Sequence, residues 1–122
     1  MNMSVELTQP DSLTNIEFDE LRSSEEIIIE TKNSSYRFAV SDAYARRGYL
    51  SGGSVGEQPI RATLMGVVTK RGDSFMTDAW CLKTNGRAFF YIETENGLKH
   101  LVTSVITGLI HIKNITEQKY IF

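Results

Sequence analysis

Residues 79–103 read Ala79-Trp80-Cys81-Leu82-Lys83-Thr84-Asn85-Gly86-Arg87-Ala88-Phe89-Phe90-Tyr91-Ile92-Glu93-Thr94-Glu95-Asn96-Gly97-Leu98-Lys99-His100-Leu101-Val102-Thr103. Two Asn-Gly dipeptides divide this stretch into three runs rich in aromatic and β-branched residues. Asn-Gly tolerates the positive φ angles that a two-residue hairpin turn requires, so the stretch predicts a three-stranded meander. If both loops have two residues, Thr84 faces Arg87, Leu82 faces Phe89 and Trp80 faces Tyr91. Across the second loop, Leu98 faces Glu95, His100 faces Glu93 and Val102 faces Tyr91. One sheet face then holds Trp80, Leu82, Phe89, Tyr91, Glu93, His100 and Val102, and the other Ala79, Cys81, Phe90, Ile92, Leu101 and Thr103. Both faces are apolar, unlike those of a sheet with one side in water.

The β pattern continues upstream. Ile27, Ile28 and Ile29 run into Glu30 and Thr31. Beyond the turn-forming Asn33-Ser34-Ser35, the residues Tyr36, Phe38 and Val40 alternate with polar or small ones. Ile60, Ala62, Leu64, Gly66 and Val68 form another period-two run, with Met65 and Val67 on its other face. Gly66 inside that run predicts a bulge or sharp bend. Arg71-Gly72-Asp73 supplies the next turn, and Leu109–Lys113 a last strand with Ile110 and Ile112 inward. About seven short strands with regular turn signals predict an all-β fold, a single small antiparallel β-barrel or sandwich.

The N-terminal part differs. Residues 1–12 are polar and show no period, so residues 1–23 read as an acidic N-terminal arm, partly disordered or a short helix, before an all-β domain over 24–122. Thr14 and Glu17 have capping-box spacing, which predicts a helix from about Asn15 to Arg22. The alternation of Ile16 and Phe18 leaves a strand open. Leu13, Phe18 and Leu21, the C-terminal Tyr120–Phe122, or a second subunit could cover the spare apolar face. A homo-oligomer, most simply a two-fold dimer, is expected for that reason.

At 122 residues, 41% hydrophobic and 23% charged, the chain has the size and balance of one soluble globular domain. The longest apolar run, Ala88–Ile92, is too short to span a membrane as a helix, and no basic-then-apolar leader opens the sequence. A cytoplasmic protein without membrane attachment is expected. The net charge of −2 is unevenly spread: residues 1–30 carry eight acids and one arginine, residues 31–122 twelve Lys and Arg against seven acids.

Chemistry-bearing groups are few. The single cysteine, Cys81, excludes an internal disulfide and cysteine-rich metal sites. His100 beside Glu93 could act as a general base, but the expected register puts Cys81 on the opposite face, which argues against a Cys–His dyad. The Gly-rich stretch Ser51–Glu57 is followed by Pro59 and a strand, not by the helix a phosphate loop needs. No catalytic set, metal site or cofactor is implied.

Binding surfaces are better supplied. Trp80, Phe89 and Tyr91, with Arg87, Arg46 and Arg47, are the candidate binding residues. The expectation is a non-enzymatic β-barrel binding or assembly module acting through an apolar, aromatic sheet face, with a protein partner or a second copy. The alternative is a single-stranded nucleic-acid binder that uses the basic body, its acidic arm acting as competitor. A small enzyme using His100 and Glu93 is a third reading. Gly86–Ile92 departs from the motif of RNA-recognition sheets at Arg87 and Ile92, and that fold's helices are missing.

Overall fold

A computed structural model describes residues 12–113. The strands among them are β1 (Asn15–Glu17), β2 (Glu26–Thr31), β3 (Ser35–Asp42), β4 (Arg47–Gly52), β5 (Gly56–Arg71), β6 (Ser74–Asp78), β7 (Cys81–Lys83), β8 (Arg87–Thr94) and β9 (Gly97–Ile112). Six of them close a barrel in the order β2-β3-β4-β5-β8-β9, with β9 returning to β2. Every ladder is antiparallel. Strand β6 extends the sheet outward from the second half of β5, and β7 pairs with β1. The all-β barrel is as expected. In place of about seven short strands there are nine among the described residues, two of them sixteen residues long.

Alternation supplies the core. Ile27 and Ile29 of β2, Tyr36, Phe38 and Val40 of β3, and Leu50 of β4 point inward. Ala62, Leu64 and Val67 of β5, Ala88 and Phe90 of β8, and Ile106 and Leu109 of β9 complete the wall. Phe38 and Phe90 meet edge-on in this interior, ring centroids 5.3 Å apart. Ile16, Phe18 and Leu21 from the N-terminal side, and Cys81 and Leu82 of β7, belong to the same core.

Both long strands are bulged: β5 pairs with β4, β6 and β8, and β9 with β8 and β2. On β5 the ladder to β8 shifts between Leu64 and Gly66. Gly66 has φ +143°, and a Cβ there would run into the Asp78 carbonyl oxygen. The bulge reverses the alternation, so Leu64 and Val67 both face inward while Val68 does not. The bulge is the one expected at Gly66. On β9 a shift opposite Glu30 and Thr31 does the same. Leu109 and His111 are therefore buried, and Ile110 and Ile112, expected inward, are only partly covered.

Two further expectations are corrected. The helix expected at Asn15–Arg22 is strand β1 followed by a single 3-10 turn, Phe18–Glu20. The buried residues explain this: Ile16 and Phe18 are two apart, a strand spacing, and Phe18 and Leu21 three apart, a 3-10 spacing. The capping box exists one turn later than expected, with Glu17 at the cap and Glu20 reaching back to its N–H.

The Asn85-Gly86 dipeptide does not make a β7–β8 hairpin either. Of its two residues only Asn85 has positive φ, whereas the expected turn needs both. The Asn85 N–H donates to the Ile106 carbonyl and the Ile106 N–H to the Gly86 carbonyl, which ties the turn to β9 instead. Trp80 and Leu82 thus do not face Tyr91 and Phe89. The second hairpin does form, with Glu95-Asn96 at its tip and Thr94 opposite Gly97. Its register differs from the expected one by two residues, so the assignment of side chains to faces survives.

Candidate binding surface

On the outer face of β8 and β9, alternation sends Phe89, Tyr91 and Glu93 outward beside Leu98, His100 and Val102. His100 lies opposite Tyr91, not opposite Glu93 as expected. Its imidazole is part of a three-ring cluster: centroids are 4.6 Å from Tyr91 and 5.5 Å from Phe89, and Phe89 and Tyr91 are 5.6 Å apart. Phe89 and Tyr91 are half-buried, while His100 and Val102 are exposed. The rings support one another as cross-strand and same-strand neighbours.

A cleft flanks this cluster on either side, one of mixed charge and one basic. One cross-strand row runs Arg47–Thr63–Tyr91–His100 over β4, β5, β8 and β9. Along it lies a cleft of about 300 Å³ lined by Arg47, Tyr49, Arg61 and Thr63 with Asp42 and Glu93. The other row runs Val68–Arg87–Val105. It floors a cleft of about 480 Å³ that also has Lys70, Phe75, Asn85 and Val102 on its walls. Arg87 is held by donation from Nη1 to the Thr103 carbonyl at 3.4 Å.

Of the six candidate residues, Phe89, Tyr91, Arg87 and Arg47 share this outer surface. Trp80 and Arg46 do not. The Arg46 guanidinium stacks on both Phe18, at 4.9 Å from the ring centre, and Trp80, at 5.4 Å. It also donates to the Ala79 carbonyl at 2.5 Å. Trp80 is 70% exposed and forms a separate patch beside Tyr44 and Asp19. Sequence reasoning missed Arg61 and Tyr49. Their signal is an outward parity opposite to Leu50, Ala62 and Leu64, legible once those strands are placed.

The remaining chemical groups are engaged elsewhere. Cys81 is buried, and its thiol is pushed from an ordinary 9.0 to about 11, first by burial and then by the Asp78 and Glu17 carboxylates. The glycines of residues 51–57 serve a strand connection: a Gly53–Val55 3-10 turn joins β4 to β5. Gly53 there packs flat against the Tyr36 ring, where a Cβ would clash, and Tyr36 Oη lies 3.3 Å from Ser54 Oγ. Among the described residues no three His, Cys, Asp or Glu side chains converge on a common point. No helix among them is long and apolar enough to cross a membrane.

Comparison of the chain with protein-family models, with curated proteins and with solved structures gives no match.

Proposed function

We propose that the protein is a binding module that takes its partner on the outer β4–β5–β8–β9 face, with Phe89, Tyr91 and His100 at the centre. The observation that carries this reading is the three-ring cluster itself. The barrel's interior is occupied by its own side chains, so those rings are outside the core and available to a partner. Apolar patches of this kind on a surface mark docking sites more often than they mark chance.

A single-stranded nucleic acid is the partner this face fits. Bases stack on aromatic rings without regard to sequence, and cations on both sides can follow the phosphates. Arg47 and Arg61 stand on one side of the rings, Lys70 and Arg87 on the other. The acids of the N-terminal segment would compete for the same cations.

Anisotropy titration with random single-stranded RNA and DNA, at low and near-physiological salt, tests the reading. Binding should weaken steeply with salt, and Tyr91→Ala should weaken it by roughly tenfold, as loss of one stacked base does. Trp80→Ala should leave it unchanged. Removing residues 2–11 should tighten it. That cut spares Ile16, Phe18 and Leu21, which a cut after residue 23 would remove from the core. No binding to either polymer at low salt would reject the nucleic-acid partner and turn attention to protein ligands of the same rings.

A further inference from the structure

Strand β6 is the outermost strand of the seven-stranded sheet: it pairs with β5 on one side, and no described strand pairs with the other. Its hairpin to β5 turns on Gly72-Asp73, with positive φ at Gly72 and Arg71 opposite Ser74. In a two-residue hairpin the closing pair exchanges hydrogen bonds, and bonded pairs then recur at every second residue. Ser74, Met76 and Asp78 therefore bond to β5. The N–H and C=O groups of Phe75 and Thr77 point the other way, into the open edge.

Natural sheets guard such an edge with lysine, proline or a bulge. Ser74-Phe75-Met76-Thr77-Asp78 has none of these. It has instead one acid, at its end, and two large apolar side chains on opposite faces, Phe75 66% and Met76 53% exposed, with Trp80 on the Met76 side. The strand is also complementary to itself. In an antiparallel pairing about a two-fold axis at Met76, Phe75 meets Thr77 of the second copy, and Thr77 meets its Phe75. Those are the residues whose backbone groups face outward, so all four groups on each strand are satisfied at once. Met76 falls opposite Met76 in the close, non-bonded position, and Ser74 falls opposite Asp78, so no two like charges meet.

We propose that two copies of this chain associate through their β6 edges, antiparallel and centred on Met76. The product is one continuous sheet, β5–β6 of one copy running into β6–β5 of the other. The axis is perpendicular to that sheet, so Phe75 and the Lys70–Arg87 cleft of both copies lie on the same side. This association does not depend on what the ring cluster binds.

Sedimentation analysis of the full chain from about 1 to 200 µM tests it, because a short edge interface gives a concentration-dependent dimer. Met76→Lys places two positive charges face to face on the axis and should raise the dissociation constant by at least about tenfold. Met76→Cys should form a disulfide-linked dimer under mild oxidation, since opposed residues of a non-bonded pair have the separation a disulfide needs. Phe75→Cys should not, because its counterpart in the second copy lies off the axis. Both side chains are exposed, and unchanged thermal melting would show that each of the three variants folds. A monomer throughout this range, a dimer indifferent to Met76→Lys, or cross-linking as fast through Phe75→Cys as through Met76→Cys would overturn the proposal.

Discussion

Nε2 of His111, near the end of β9, lies 2.7 Å from Oε1 of Glu25, just ahead of β2, and both side chains are almost wholly buried. The same carboxylate oxygen accepts the Arg22 N–H at 3.0 Å, and the backbone of Glu25 accepts from Val40 of β3. One residue thus joins the N-terminal turn, β3 and the closing strand. Removing either side chain leaves a buried polar group short of a partner, and His111→Ala or Glu25→Ala should each cost about 2–4 kcal/mol. In a denaturant-melting cycle the double variant should cost less than the two single variants together.

Gly66 is a sharper test of the barrel's geometry. Its φ of +143° and the Asp78 carbonyl behind it leave no room for a side chain. Gly66→Ala should destabilise the protein by about 2 kcal/mol or more. Gly97 has φ +102° but open space around it, so Gly97→Ala should cost about 1 kcal/mol. Equal losses in urea melts would mean that the close approach at Gly66 is unimportant.

Aromatic residues separate by location. Phe90→Ala empties the interior and breaks the edge-on contact with Phe38, at a cost of about 3–5 kcal/mol. Trp80→Ala removes only an exposed ring stacked on Arg46, worth about 1 kcal/mol or less. Thermal melting of the two variants reads this contrast directly.

The Cys81 thiol, raised to about 11, should be nearly inert to thiol reagents at pH 8 in the folded protein and react freely once unfolded. Its folded value lies above the ordinary 9.0, so the neutral thiol is the form the fold favours. The linked stability is fully present below about pH 9 and is lost as pH rises towards 11. A Cys81→Ala variant should show a flatter stability profile across that window.

Much of the barrel is legible in short-range pattern. Tyr36, Phe38 and Val40 give β3 and its inward face directly. The β8–β9 hairpin gives the correct faces despite a register two residues off, because a shift of two preserves parity where a shift of one would not. What local pattern cannot convey is the choice of partner. Leu82 alternates as a neighbour of β8 should, yet Ile16, far away in sequence, takes its place opposite it. Ile110 and Ile112 look inward until the bulge before them reverses the count. The candidate surface was half legible for the same reason: Phe89, Tyr91 and Arg87 share one strand, whereas Arg47, Arg61 and Lys70 join them only once β4, β5 and β8 are laid side by side.

The strands of the barrel follow one another round its wall in chain order, with β6 and β7 as an excursion between β5 and β8. The β2–β9 ladder is the exception, for it joins the first barrel strand to the last. His111 and Glu25, which lie at its end, are 86 positions apart in the chain. The other ladders that close the wall connect strands nearer in sequence and exact less loop entropy before their contacts form. On that ground the seam between β2 and β9 is expected to close last, with the buried His111–Glu25 contact as the latch that engages once it has closed.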